Sequence, residues 1–287
     1  MTPPELLSLV LHLQPENPNP ERPLPRWWGR AAHALLLHIV QQADPALASR
    51  MHADADQPWR PFTVSNLLGS FPRGKFHPEK PYRLRLTSLD ADLTALLLAA
   101  AAPGGPLAPE AVVELDFCRF RVLPPPQDGD HWQMQTTFVD LSRPWLSARC
   151  TPPRRFTFHF ASPTAFKSRG RHMPVPLPDW VFNSLLQRWN TFAPMAMPEE
   201  TRRFANEVVG VSRYRLQSAV VPLKNGGRRI GAVGEATFIG LNHDRYWLSI
   251  LATLARFALF SGVGVSTTMG MGQCRWIDSE EAAACPS

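Results

Sequence analysis

The residues with the most chemical potential sit close to the end of the chain. "GVGVSTTMGMGQCRW", residues 262–276, spaces glycines at 262, 264, 270 and 272 around three hydroxyls, Ser266, Thr267 and Thr268. Glycine is used where the backbone takes positive φ or where another group approaches too closely for a Cβ. A loop of this kind can offer hydroxyls and free amides to phosphates. Two familiar phosphate loops are excluded. A P-loop carries a lysine and a hydroxyl after its last glycine, whereas Gly272 is followed by Gln273 and Cys274. A dinucleotide fingerprint runs from strand to glycines to helix, and here the order is reversed. Trp247, Ile250, Leu251, Leu254 and Ala258 form a helical stripe upstream, and "QCRWI" reads as a strand downstream. The alternative reading of the loop is a tight structural crossover.

A second group of residues suits the same ligand chemistry. The net charge of +6 is modest, but the cations cluster: Arg213, Arg215, Lys224, Arg228 and Arg229 in one segment, Arg154, Arg155, Lys167, Arg169 and Arg171 in another. Arg213, Arg215 and Gln217 share one face of a strand, and Lys224, Arg228 and Arg229 lie at or beside its turn, "KNGG". This predicts a protruding basic ribbon, which suits nucleic acid phosphates because bound cations release condensed counterions. Ordinary solvated arginines are the competing reading. Nine histidines could move protons. Among them His33 and His38 flank the apolar stripe of one helix on opposite sides, His77 lies in a basic loop, His159 is mid-strand, and His172 lies in an arginine-rich connection.

These groups need a scaffold, and 287 residues that are 44% hydrophobic are enough for two medium domains. Thirty prolines, about twice the usual ~5% share, sit mostly in connections such as "PENPNPERPLPR", "LPPPQDGD" and "MPVPLP". The first half reads as a strand at 5–13, a helix at 29–42, a helical turn or two at "PALASRMH", strands at "PFTVSNLL" and "YRLRLTSL", a helix at "DADLTALLLAAAA" and a strand at "VVELDFCRFRVL". "HWQMQTTFVDL" reads as an additional strand. The second half repeats the plan: a strand at "RRFTFHFASP", a helix at "PDWVFNSLLQRWNTF" with Asp179 as cap, the basic hairpin, a helix at 243–260 and the last strand. The fold class expected is α+β, two tandem ferredoxin-like βαββαβ domains covering 1–145 and 146–287, with antiparallel sheets covered by helices on one face.

No apolar run reaches membrane-spanning length, and the start "MTPPELLSLVLHLQPENP" lacks a basic region and a small-residue cleavage site, so we read the chain as cytoplasmic. Cys118, Cys150, Cys274 and Cys285 contain no CxxC pair and are expected as buried or incidental thiols, neither a zinc site nor a disulfide framework. No metal and no cofactor is expected.

Three stretches together resemble the CRISPR-associated repeat-RNA processing endoribonucleases of the RAMP superfamily. "GVGVSTTMGMG" is similar to their C-terminal glycine-rich loop, "SPTAFKSRGRHMPVPLPDWVFNSLLQRWN" to the segment entering their second domain, and "ADPALASRMHADADQPWRPFTVSNLLG" to their N-terminal segment, in the same order along the chain. The resemblance implies metal-independent cleavage of precursor CRISPR RNA within each repeat. The ribose 2'-OH attacks the adjacent phosphate, leaving a 2',3'-cyclic phosphate and a 5'-OH. That reaction needs a base, an acid and a cation beside the transition state. The sequence has no dense set of acidic residues with metal-ligand character, in agreement with a metal-free route.

By the same resemblance His52 is the first choice for general acid or base, Arg60 for transition-state stabilisation, and His38 a reserve. A helix-end dipole partner, a snorkelling surface arginine and core-edge packing are the bland alternatives for the three. Arg213, Arg215, Lys224, Arg228, Arg229, Gly262, Gly264, Ser266, Thr267, Thr268, Gly270 and Gly272 are the expected RNA contacts. The implied partner is the precursor repeat RNA. A rival reading is a non-catalytic subunit that grips a repeat-derived RNA beside CRISPR effector subunits, and monomer and homodimer both stay open.

Overall fold

The computed structural model describes residues 2–53, 59–77, 79–147, 150–223 and 226–277. The chain divides into two compact units, one running to Gln135 and including Thr268–Gly270, the other comprising Thr136–Thr267 and Met271 onward.

In the first unit β1 (Leu6–Pro15) is followed by α1 (Gly29–Ala43), α2 (Pro45–Ala53), β2 (Phe62–Val64), β3 (Tyr82–Ser88), α3 (Ala91–Ala101), β4 (Val112–Leu115) and β5 (Cys118–Leu123). The sheet order is β2-β3-β1-β5-β4, with antiparallel neighbours, and β6 (Met134–Thr136) adds to β1. Omitting β4, this is the ferredoxin-like arrangement expected. Alternate residues of β1, Leu7, Leu9, Leu11 and Leu13, join the α1 stripe (Ala32, Leu35, Leu36, Ile39, Val40) in one apolar core. Asp90 caps α3, its Oδ1 accepting from the Leu93 amide at 2.9 Å. The opposite side of the strands is not bare. Arg85, 3% exposed, lies 4.8 Å from the Trp132 ring and donates to Ser8 Oγ at 3.2 Å. Asp130 stands 3.4 Å from Arg83 and 3.8 Å from His12.

Two expectations are corrected here. The run 112–123 is a hairpin, not one strand: Leu115 pairs with Cys118 across Asp116 and Phe117, and Asp116 takes φ 57°. Aspartate enters that left-handed region more readily than most residues. Of "HWQMQTTFVDL" only 134–136 is strand, because the Thr137 side chain accepts from the Asp140 amide and starts α4 (Phe138–Leu146). This helix belongs to the second unit, where Phe138 packs 5.9 Å from Phe257.

The second unit contains β7 (Arg155–Thr164), a small hairpin of β8 (Phe166–Ser168) and β9 (Arg171–Met173), α5 (Pro178–Phe192), α6 (Glu200–Val208), β10 (Val209–Pro222), β11 (Arg228–Gly240), α7 (Arg245–Ser261) and β12 (Cys274–Ile277). Its sheet order β10-β11-β7-β12 repeats the ferredoxin-like plan. The fold class is therefore α+β with two tandem ferredoxin-like units. Phe156, Phe158 and Phe160 are fully buried, with Phe182 of α5 5.8 Å from both Phe156 and Phe158. The α5 cap differs from expectation. Leu177 is the N-cap and Pro178 occupies the first turn, so Asp179 makes no cap bond and acts only on the helix dipole. Asp244 caps α7, accepting from Tyr246 and Trp247 amides.

Cys118 and Cys274 are both buried, and burial, with Asp116 nearby, raises the Cys118 thiol to about 11. Cys150 is buried, and Cys285 lies outside the described residues. No described helix is long and apolar enough to cross a membrane.

Candidate nucleic-acid interface and catalytic groups

The glycine-rich loop begins where α7 ends at Gly262. Its two limbs are tied together, Val263 donating its amide to the Gly272 carbonyl at 2.9 Å. A Cβ on Gly272, whose φ is +67°, would stand 2.0 Å from the Val263 carbonyl oxygen, so the pairing itself demands glycine. Below the loop lies a fully buried guanidinium. Arg188 donates to the Gly264 carbonyl at 2.6 Å and to both the carbonyl and the hydroxyl of Ser184, while Ser184 Oγ accepts the Gly264 amide. Burial lowers Arg188 to about 9, which leaves it cationic at neutral pH.

The tip, Thr268–Gly270, is seated within the first unit. His33 Nδ1 donates to the Thr268 carbonyl at 2.9 Å, and Trp27 Nε1 to the Met269 carbonyl at 2.7 Å. Gly270 bridges to Ser65 in parallel, and a Cβ on Gly29 would stand 1.9 Å from the Met269 oxygen. The loop therefore touches its own protein at close quarters.

These contacts bear on the residues expected to touch RNA. Gly262, Gly264, Gly270, Gly272 and Thr267 are buried. The amides of Gly262, Gly264 and Gly272 are spent on Ala258, Ser184 and Pro163, and so are not free for phosphate. Ser266 and Thr268 are half-exposed. Ser266 takes φ 57°, an uncommon conformation for a residue with a side chain.

On the ribbon, Arg213 and Arg215 are exposed, opposite Thr237 and Glu235 in the β10–β11 register. With Thr157 and Tyr214 these four line a hollow of about 220 Å³. Glu235 lies 3.8 Å from His159 Nδ1, and so both signs of charge occupy this face. Arg228 is exposed beside the turn, and Lys224 lies outside the described residues. Arg229 turns away from the ribbon. Its Nη1 donates to Ser266 Oγ and its Nη2 to His172 Nε2 at 3.2 Å.

The catalytic candidates fall in the first unit. His52 is in the last turn of α2, and its side chain lies outside the described residues. Arg60, half-buried just before β2, donates Nη1 to the carbonyl of Met51, the residue preceding His52. The guanidinium is thus tied to the helix end that carries the histidine, which a freely snorkelling side chain would not be. His38 is exposed on α1 and lines an open groove of about 790 Å³ with Trp27, Arg30, Glu114 and Asp116. Among the described residues it forms no hydrogen bond with Arg60. His33 faces the other way, its ring 5.4 Å from Phe62.

Reasoning from sequence overlooks Arg188, although a charged residue between Leu185 and Trp189 of an apolar stripe is a visible signal. It also ranks His172 low, since nothing local pairs it with a residue so distant in sequence as Arg229.

Comparisons with known proteins fit this arrangement. The CRISPR-associated endoribonuclease Cas6 family model matches residues 158–274. A CRISPR-associated endoribonuclease Cas6 of Mycobacterium tuberculosis is 36% identical over 125 residues, 42% of this chain and 38% of that protein. One from Streptococcus thermophilus is 30% identical over 122 residues, 41% of this chain and 48% of that protein. The matched region thus spans less than half the length of these curated relatives. Among solved structures, a Cas6 product complex is 27% identical with a TM-score of 0.76, covering 95% of this chain and 99% of its own. A Cas6 substrate mimic complex is 26% identical with a TM-score of 0.69, covering 95% and 99%. Two ferredoxin-like units with a glycine-rich loop between the last helix and the last strand make up a chain similar in fold to these Cas6 structures. Residues 158–274 are thus similar to the CRISPR-associated endoribonuclease Cas6 family, and 95% of the chain is similar to solved Cas6 structures.

Proposed function

We propose that this protein is a metal-independent endoribonuclease that binds precursor CRISPR RNA and cleaves within each repeat by attack of a 2'-OH, giving 2',3'-cyclic phosphate and 5'-OH ends. The observation that carries the reading is the likeness, over 95% of the chain, to Cas6 structures described as product and substrate mimic complexes. In this reading the first domain holds the reacting groups and the second holds the RNA. His52 transfers protons at the scissile linkage, because an imidazole titrates near neutrality. Arg60, with Nη1 committed to the Met51 carbonyl, keeps Nη2 and Nε to stabilise charge on the phosphorane-like transition state. His38 is a secondary candidate, in a groove that also carries the cation of Arg30. Arg213, Arg215 and Arg228 take phosphates along the ribbon, and the sequence adds Lys224 to them. The protein works in the cytoplasm on the host's own repeat transcripts.

The test is incubation in EDTA with a repeat RNA from the same locus, beside a copy with a single 2'-deoxy at the mapped cleavage position and beside His52→Ala. The native RNA is cut to a cyclic phosphate, the deoxy copy is bound and uncut, and His52→Ala loses about 10²- to 10⁴-fold in single-turnover rate. RNA that binds tightly and is never cut by the wild-type protein would replace this reading with that of a non-catalytic grip.

A further inference from the structure

The arginine that leaves the ribbon, Arg229, sits in an arrangement of donors. Lys167 and His172 pair across the β8–β9 hairpin, so their side chains share one face of it. Arg229 approaches from β11, and Ser266 from the glycine loop. The guanidinium joins the glycine loop and the β8–β9 hairpin, Nη1 to Ser266 Oγ and Nη2 to His172 Nε2. Its Nε is buried and, among the described residues, has no hydrogen-bond partner. Among the described residues no carboxylate pairs with Arg229 or Lys167.

The protonation pattern follows from the contacts. A guanidinium only donates, so His172 Nε2 accepts and the ring proton is on Nδ1. Burial first, then Arg229 and Lys167, lower the His172 pKa, which agrees with a neutral ring. The ring's Nδ1–H, the Lys167 ammonium, the Ser266 hydroxyl proton and the outer guanidinium N–H groups are then all donors. Ser266 is held in place, since Val265 donates to the Ala165 carbonyl at 2.9 Å and Ser266 accepts from the Met271 amide at 3.3 Å. A set of donors with surplus positive charge and, among the described residues, no counter-carboxylate matches a tetrahedral oxyanion.

We infer that Arg229, Ser266, His172 and Lys167 form a seat for one phosphodiester of the bound RNA, with His172 and Lys167 as contacts alongside the expected Arg229 and Ser266. The seat rests on the proposal that RNA is the ligand, and it gives the glycine-rich loop a specific role, with Ser266 as its outward donor. An isolated phosphate ion shares the chemistry, and the experiment separates the two sources.

Affinity for the repeat RNA is measured by fluorescence anisotropy from 50 to 300 mM salt for wild type, Arg229→Gln, His172→Ala, Lys167→Ala and the Arg229→Gln/His172→Ala pair. Thermal unfolding of each variant reports folding. In the second arm, inorganic phosphate is titrated while the His172 imidazole signals are followed by NMR. Arg229→Gln is expected to weaken RNA binding about 10- to 100-fold and to lower the salt slope by about 1. The paired variant is expected to lose less than the sum of its parts, because both side chains hold one phosphate. Wild-type binding with variants within twofold of it, at equal slope, overturns the seat. If the wild type does not bind repeat RNA, the proposed function fails and the second arm decides. Imidazole signals that move with phosphate in the wild type and not in Arg229→Gln keep an anion seat, and signals that stay still remove it.

Discussion

Replacing Gly29 by alanine adds one methyl group at the start of α1, and the two consequences have opposite sign. Alanine is the better helix former by up to ~1 kcal/mol in a helix interior, and by less in a first turn. Against that, the new Cβ would stand 1.9 Å from the Met269 oxygen and 2.8 Å from Trp27 Nε1. The Met269 carbonyl must retreat by about 1.5 Å to reach an ordinary contact of 3.4 Å. A retreat of that size breaks the Trp27 bond to Met269, now 2.7 Å, and disturbs the neighbouring His33 bond to Thr268, now 2.9 Å. At about 1 kcal/mol for each bond, the tip loses roughly 2 kcal/mol of its hold, equivalent to about a thirty-fold rise in loop opening. Global stability should fall by only ~1 kcal/mol, or a few degrees in Tm. The sensitive assay is hydrogen exchange at the Val263 and Met271 amides, which close the loop on Gly272 and Ser266. Gly129→Ala is the control, because Gly129 has φ +72° and nothing within 4 Å of its absent Cβ. It should cost stability with no change at the loop. Equal protection of both amides in Gly29→Ala and wild type would refute the account of why position 29 is glycine.

Two further outcomes are expected. Arg188→Met keeps the buried volume of the stem and removes the donors to Gly264 and Ser184. Relief of the buried charge offsets part of the loss, so chemical denaturation should show a drop of only about 1–2 kcal/mol, with much faster exchange at the Gly264 amide; unchanged exchange would sink the idea that Arg188 holds the loop. His172 should titrate below 6.5 in the folded protein and move upward in Arg229→Gln, because that change removes a neighbouring positive charge and a desolvating contact. With a depressed folded pKa, the unfolded chain binds the proton first as pH falls below 6.5. Folding is therefore not penalised above that pH and loses stability on acidification through the window beneath it, and the loss should be smaller in Arg229→Gln.

The long elements were legible because their burial is one-sided over many residues. The stripes of α1 and α5 and the alternating phenylalanines of β7 each repeat a single period often enough to exclude the other. Short elements lacked that redundancy. β8 and β9 have three residues each, and the turn between β4 and β5 carries Asp116 and Phe117 in place of a glycine or proline signal. α4 escapes a sequence reading although Thr137 and Asp140 mark its start, because the same stretch also alternates acceptably as a strand. For the candidate site the limit was different in kind. Glycine spacing signals a close approach but not what approaches, and here the approaching atoms are the protein's own carbonyl oxygens of Ala165 and Val263 at Gly264 and Gly272. Because those amides are spent internally, the proposed phosphate seat is built from side chains, and the choice falls on the loop residue that points outward with a charged neighbour. Ser266 beside Arg229 meets that condition, and a sequence that separates them by more than thirty residues gives no local sign of it.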